Sequence, residues 1–240
     1  MCGTAEGSPI PGFRGYSAGV GAVGDLFAWA ARYAADAATE EEARSRGLSV
    51  IELLTEKCEK KRPGETGLLA LDWFAGNKCC LSDSALTGTI FGLTLQTRPE
   101  DIFRALVEAT AFDTRNIFES FAAQGLSPRR VIAAGGIPRK SPFVMQLYAD
   151  VLGLPVGVTG TTQGAALGSA INAAAAAGAA AGGYDSLTAA MEAMAVRVER
   201  TYLPRPDAGA VYDRLYAEYK RLYEYFGHEN TILRRIREIR

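Results

Sequence analysis

Residues 131–170 constrain the fold of this chain more than any other stretch. An apolar run at 131–134 ends abruptly at Gly135 and Gly136, an amphipathic segment follows, and a second short strand is expected at 155–159. A helix made almost entirely of small residues comes next. We predict that the first run is a buried strand, because paired glycines after such a strand let backbone approach a flat or anionic ligand. The stretch therefore predicts a nucleotide site.

Hydrophobic periodicity predicts the elements on either side. Apolar residues recur at helical spacing over 100–123 and again over 144–152. Further helices are expected over 25–35 and 40–59, and a short strand over 68–71. Strands that alternate with helices indicate an α/β fold with a largely parallel sheet.

Charge and cysteine content argue against two classes of site. The 240 residues carry a formal net charge of -1 with a pI near 6.0, whereas nucleic-acid-binding domains usually show a strongly basic face. The four cysteines have no C-x-x-C spacing and His228 is the single histidine, so a zinc site has few ligands to draw on. We expect reduced thiols in a cytoplasmic protein that lacks a secretory signal and a nucleic-acid partner.

The run at 164–182 is apolar enough to raise the question of a membrane span. It consists mostly of alanine and glycine, and alanine contributes little to membrane insertion compared with leucine, isoleucine or phenylalanine. We predict a buried, closely packed helix here and no membrane partner.

The Gly135–Gly136 pair fits neither of two familiar nucleotide-binding patterns. A dinucleotide fingerprint requires G-x-G-x-x-G, and a phosphate-binding P-loop requires G-x-x-x-x-G-K-[ST], whereas the chain reads GGIPRKS. A generic dinucleotide-dependent oxidoreductase is therefore disfavoured. A purely structural turn is the alternative, but the small-residue helix that begins near TQGAALGSA favours a ligand site.

Several motifs in order carry a more specific resemblance. The segments AAGGIPRKSPFVMQLYADVLGLPV and TTQGAALGSAINAAAAAG resemble the C-terminal signature of FGGY-type carbohydrate kinases. The segment TGTIFGLTLQTRPEDIFRALVEATAFDTR (87–115) resembles the second recurrent motif of that family. The segments IPGFRGYSAGVGAVGDLFAW (10–29) and LALDWFAGNK (69–78) are most similar to the L-ribulokinase branch.

The resemblance implies an actin-like, ribonuclease-H-like ATPase domain, in which a mixed sheet is flanked by helices. Complete members have two such domains around a cleft, with most sugar contacts in the N-terminal one and most ATP contacts in the C-terminal one. Residues 1–240 match the C-terminal domain, and 205–240 are expected to form a helical extension within it. The missing N-terminal kinase domain is thus an expected partner.

Candidate nucleotide-binding residues follow from the same resemblance. Gly135 and Gly136 resemble the glycines whose backbone packs against the adenosine part of ATP, and Ser141 stands where the family commonly has an asparagine near the adenine. Gly88 resembles a glycine close to the phosphates, which Mg²⁺ is expected to bridge. Gln163 suits the L-ribulokinase version of the motif, with a capping or packing role as the alternative.

Candidate sugar-binding residues include one departure from the family pattern. The L-ribulokinase segment after GF-x-GY typically reads EAGQ, with its glutamate near the sugar, whereas this chain has Ser17 and Val20. A serine supplies no carboxylate to accept hydrogen bonds from sugar hydroxyls, so an altered sugar preference is expected. Trp73 and Asn77 are substrate candidates, although a packed aromatic and a turn residue are the alternative.

No catalytic base is assigned within the chain. The resemblance implies a catalytic aspartate and a Gly–Thr phosphate turn that should lie upstream of Met1. The GAVGD segment that ends at Asp25 has a similar appearance but the wrong register, and Asp25 is better placed at the positive end of a helix dipole.

The sequence thus predicts the ATP-binding part of a phosphotransferase that acts on a ketopentose, most simply L-ribulose. A non-catalytic nucleotide-binding or regulatory protein on the same domain is the alternative. Tyrosines at 212, 216, 219 and 223 form a stripe that suits either helix packing or a homo-oligomer contact.

Overall fold

The computed structural model describes residues 3–8 and 10–239. The strands in this part of the chain are β1 (Gly3–Glu6), β2 (Arg14–Ser17), β3 (Leu69–Leu71), β4 (Thr89–Phe91), β5 (Val131–Ala133), β6 (Val156–Thr159) and β7 (Val198–Tyr202). The α-helices are α1 (Gly24–Tyr33), α2 (Ala37–Ser45), α3 (Val50–Glu59), α4 (Pro99–Ala122), α5 (Gly136–Lys140), α6 (Pro142–Leu152), α7 (Gly164–Ala177), α8 (Leu187–Met194), α9 (Pro206–Glu224) and α10 (Ile232–Glu238). A 3₁₀ turn (Ala179–Ala181) precedes α8, and a π-helical turn (Tyr225–Glu229) follows α9.

The strands form three small sheets, and the prediction of a largely parallel sheet is wrong. β1 pairs with β2 and β3 with β4, both antiparallel, and the third sheet has the order β5–β6–β7. Within the described residues only β5 and β6 pair in parallel, while β6 and β7 are antiparallel. Helices α5 and α6 return the chain to the end of the sheet where β5 begins, as a parallel pair requires. No helix joins β1 to β2 or β3 to β4, and α7 and α8 between β6 and β7 do not return the chain in this way.

Helix α4 forms the centre of the core. Pro99 occupies its first position, where a missing N–H costs nothing, and the carboxylate of Asp101 accepts a hydrogen bond from the backbone N–H of Arg98 at 2.9 Å. Residues 103–113 are all buried, because α1, α3, α6, α9 and β3 pack around the helix. Periodicity predicted one apolar face, and the structure instead surrounds this segment, so that charged side chains of α4 lie in the interior.

The tyrosine stripe of α9 packs within the chain. All four tyrosines are buried. The ring of Phe112 on α4 lies 6.2, 5.9 and 5.4 Å, between centroids, from the rings of Tyr212, Tyr216 and Tyr219. α9 therefore shares one core with α4, and the extension drawn over 205–240 stays a prediction.

Two burial predictions next to the Gly–Gly turn are wrong. β5 is only partly buried and its Ile132 is 52% exposed, whereas every residue of β6 is buried. Helix α7 buries Ile171 alone. Ile132 lies on the face of β5 opposite to Val131 and Ala133, which pack against the core, and α7 packs chiefly against α8, so each element keeps an exposed face. None of the helices in this part of the chain has the length and apolar character that crossing a bilayer requires.

Candidate nucleotide-binding site

The turn after β5 is open on its outer side. Gly135 has φ 115° and ψ -168°, a conformation that residues with a Cβ rarely adopt, and Gly136 begins α5. A Cβ built on either glycine meets no heavy atom within 4 Å. Backbone strain explains the glycine at 135. None of the described residues accounts for the glycine at 136, and the space beside it is open.

Two helix starts converge on this turn. A Cβ on Gly24, the first residue of α1, would lie 3.5 Å from Cδ1 of Ile137 in α5. A Cβ on Gly164, the first residue of α7, would lie 3.1 Å from the Cβ of Ala134. The approach of α1 was not predicted from the sequence, although the many glycines of residues 12–24 are a signal for a close approach of backbones.

Ser141 and Gln163 have different local roles. Ser141 is the N-cap of α6, and its Oγ accepts a hydrogen bond from the backbone N–H of Val144 at 3.3 Å. Gln163 precedes α7 and its side chain makes no capping hydrogen bond. Its backbone N–H donates to Oγ1 of Thr161 at 3.0 Å. A capping role therefore holds for Ser141 and not for the Gln163 side chain.

Gly88 is packed against an aromatic ring. A Cβ at this position would lie 1.9 Å from Cδ2 and 2.1 Å from Cε2 of Phe74, so any side chain collides with the ring. Phe74 lies in the loop between β3 and β4 and also contacts Trp29 of α1, with ring centroids 4.7 Å apart in an edge-on arrangement. The glycine thus has a packing reason, and its contact with phosphates stays a prediction.

The sugar candidates lie in two different environments. Ser17 ends β2 opposite Gly3 and is exposed. Trp73 is buried edge-on against Tyr223, with ring centroids 5.3 Å apart. Asn77 is also buried; its Oδ1 accepts a hydrogen bond from the backbone N–H of Leu81 at 3.0 Å. Burial of Trp73 and Asn77 favours the packing interpretation, and a substrate role for any of the three stays a prediction.

The carboxyl groups of Asp72, directly after β3, and Asp113, on α4, are both buried. Neither carboxyl oxygen of Asp72 has a hydrogen-bond partner among the described residues, and burial together with the charge of Asp113 raises its pKa well above the ordinary value. Burial also raises the pKa of Asp113 to about 7, although the side-chain amide of Asn77, 3.5 Å away, opposes this. Asp113 is therefore favoured as a neutral acid near pH 6, and the pKa of Asp72 is shifted in the same direction.

Asp25 is exposed in the first turn of α1, where its charge complements the helix dipole. No group of three or more His, Cys, Asp or Glu side chains among the described residues is arranged to hold a metal ion.

Comparison with known proteins decides the family. Residues 1–177 match the model of the C-terminal domain of the FGGY family of carbohydrate kinases. The chain belongs to this family. The predicted fold is confirmed by solved family members. A xylulose kinase from Rhodospirillum rubrum superposes on this structure with a TM-score of 0.70 and 30% identity, over 90% of this chain and 41% of its own. A gluconate kinase from Lactobacillus acidophilus, at 22% identity and a TM-score of 0.68, shares the fold over 86% of this chain and 38% of its own.

Curated FGGY relatives extend the similarity beyond the family model. A ribulokinase from Bacillus licheniformis is 47% identical over 240 residues, which is 100% of this chain and 44% of the relative. A ribulokinase from Halalkalibacterium halodurans is 45% identical over 241 residues, which is 100% of this chain and 43% of the relative. The chain thus spans less than half the length of these relatives, and the similarity includes α8 to α10, which the family model does not reach.

Proposed function

We propose that this chain is the nucleotide-binding part of a carbohydrate kinase that transfers the γ-phosphoryl group of ATP to a hydroxyl of L-ribulose, giving L-ribulose 5-phosphate. The observation that carries the proposal is the open turn at Gly135 and Gly136, flanked by the starts of α1 and α7. Relatives named ribulokinase that match the whole chain support the choice of sugar.

The residues at the turn suit ATP. Gly136 leaves an uncovered backbone surface beside Ile137, which fits a flat adenosine group better than a compact ion. Mg²⁺ usually keeps several waters and binds one or two carboxylates plus substrate phosphates, so we expect it to arrive with the nucleotide. No described residue is assigned as its ligand.

The contribution of this chain to catalysis is positioning. Phosphoryl transfer depends almost entirely on aligning donor and acceptor and on neutralising charge. The proton of the sugar hydroxyl needs a base, and we place it in the N-terminal domain expected for the intact kinase. A cytoplasmic location remains part of the proposal. The tyrosine stripe no longer argues for a homo-oligomer, because it packs against α4.

Replacing Gly136 with valine is expected to weaken ADP binding to this chain at least tenfold, about 1.4 kcal/mol, because the side chain fills the open surface. Isothermal titration calorimetry measures the affinity, and circular dichroism checks the fold. The matched control is Gly3→Val, since a Cβ on Gly3 also meets nothing within 4 Å and Gly3 lies in β1. A folded Gly136→Val protein that binds ADP as the wild type does would refute the site.

Replacing Ser17 with glutamate is expected to raise kcat/KM for L-ribulose about tenfold, because a carboxylate accepts hydrogen bonds from the sugar hydroxyls. The assay joins this chain to a sugar-binding domain of the family and compares a panel of pentuloses. Ser45→Glu, an exposed change on α2, is the control. Unchanged preference in Ser17→Glu would contradict the assignment, and nucleotide binding without phosphorylation of any sugar would favour the non-catalytic alternative.

A further inference from the structure

We propose that Phe74 is a positioning residue for the nucleotide site, holding the start of β4 and helix α1 at a set separation. The role rests on the function proposed above. The ring of Phe74 acts through the segments on either side of it and does not need to touch the nucleotide.

Phe74 stands between two segments that carry candidate site residues. On one side its ring fills the space where a side chain at Gly88 would lie, with three ring atoms within 2.7 Å of the Cβ position. On the other side it meets the ring of Trp29 on α1 edge-on, with centroids 4.7 Å apart. An aromatic ring is rigid, so the Phe74 ring, in contact with both Gly88 and Trp29, fixes the distance between the turn at 87–88 and α1.

A second contact holds the same loop against the start of α1. A Cβ on Gly21 would lie 2.5 Å from the carbonyl oxygen of Gly76, so the backbones of the two segments are in direct contact. Gly76 itself has φ 75°. The loop therefore touches the α1 region at Gly21 and at Trp29, before and after the helix start.

The helix start is the part of α1 that reaches the Gly–Gly turn. A Cβ built on Gly24 would lie 3.5 Å from Cδ1 of Ile137. A shift of Phe74 moves Trp29 and the helix to which it belongs, and so changes the opening beside Gly136. Loss of this spacer is therefore expected to weaken ADP binding, because Gly24 and Ile137 flank the opening beside Gly136.

The arrangement also changes the explanation for Gly88. If Gly88 is glycine because of the Phe74 ring, then the harm done by a methyl group at 88 depends on that ring. If Gly88 is glycine because a phosphate lies against it, the harm is independent of Phe74. A double-mutant cycle separates the two, since residues in contact give non-additive effects and independent sites add.

The test measures ADP affinity by calorimetry and stability by urea denaturation for wild type, Gly88→Ala, Phe74→Ala and the double variant. We expect about tenfold weaker ADP binding in each single variant, and no further loss when Gly88→Ala is added to Phe74→Ala. Phe74→Tyr, which keeps the ring, is expected to bind ADP with an affinity within about twofold of the wild type.

A control separates positioning from general loss of stability. Phe91 in β4 is also half-buried and contacts Phe226, with ring centroids 5.6 Å apart. Phe91→Ala is expected to destabilise the chain while ADP affinity stays within twofold of the wild type.

Each result decides the matter. A folded Phe74→Ala protein with wild-type ADP affinity overturns the positioning role alone. An equal loss from Gly88→Ala in both backgrounds overturns it in favour of a direct phosphate contact. Weakening in Phe91→Ala equal to that in Phe74→Ala reduces Phe74 to ordinary packing. If the wild-type chain binds no ADP, the proposed function fails, and this role fails with it.

Discussion

Replacement of Arg104 by alanine is expected to lower the free energy of unfolding by about 3–5 kcal/mol, because it leaves a buried carboxylate without its partner. Nε of Arg104 donates to Oε1 of Glu108 at 2.8 Å, with the two side chains 3% and 2% exposed. Nη1 donates to the carbonyl oxygens of Cys58 and Lys61 at 2.7 and 2.9 Å, at the end of α3. Urea denaturation followed by circular dichroism measures the loss.

An exposed ion pair provides the control for this prediction. Arg44 and Glu41 form a pair at 2.6 Å with side chains 73% and 66% exposed, and Arg44→Ala is expected to cost less than about 1 kcal/mol. The double variant Arg104→Ala/Glu108→Ala is expected to be less destabilised than the sum of its single variants, since no unpaired charge remains. Equal losses at 44 and 104 would show that burial does not make the Arg104–Glu108 pair more important than an exposed pair.

Replacement of Asp113 by asparagine is expected to stabilise the chain at pH 8 by roughly 2–4 kcal/mol and to have little effect near pH 4. The folded chain raises the pKa of Asp113 from its ordinary 3.8 to about 7, chiefly by burial. Between these values the unfolded chain loses a proton that the folded chain keeps, so stability falls as pH rises and levels off above about pH 7. Urea denaturation across this range measures the slope.

The groups that face Asp113 act in both directions. Asp72 also has its pKa raised, which adds to the same slope, while Asn77 and Lys220 favour the charged form of Asp113. Asp36 provides a control of opposite sign: its exposed carboxylate accepts from the backbone N–H of Thr39 at 2.8 Å, and this hydrogen bonding lowers its pKa. The Asp36→Asn variant is expected to be less stable than the wild type above pH 4, where the wild-type carboxylate is charged. A pH slope of unchanged size in Asp113→Asn would place its origin elsewhere.

Much of the chain could be predicted from local patterns. The helix expected over 100–123 is α4, the one expected over 144–152 is α6, and the strand expected at 155–159 is β6. The charged stretch at 40–59 proved to be two helices, since Ser49 starts α3 with a capping box to Glu52. Periodicity, glycine and capping residues act over a few residues, so these features are visible in the sequence.

Burial and contacts between distant segments could not be obtained in this way. Ile132 is as apolar as a core residue, yet it is half exposed because it lies on the face of β5 opposite to Val131 and Ala133, which pack against the core. Helix α7 is rich in small residues that suit close packing, and the described chain provides α8 for one face and no cover for most of the rest. Exposure depends on which elements lie above a face, and that information is spread over the whole chain.

The Gly–Gly turn marks the same division. The sequence by itself determined that a strand ends at a pair of glycines and that small-residue segments follow, and its motifs identified the family. Only the tertiary structure decided that the start of α1 lies against Ile137 and that Phe74 fills the space at Gly88. Local conformation depends on nearest neighbours along the chain, whereas these contacts join residues more than ten positions apart and exist only after the core around α4 has brought them together.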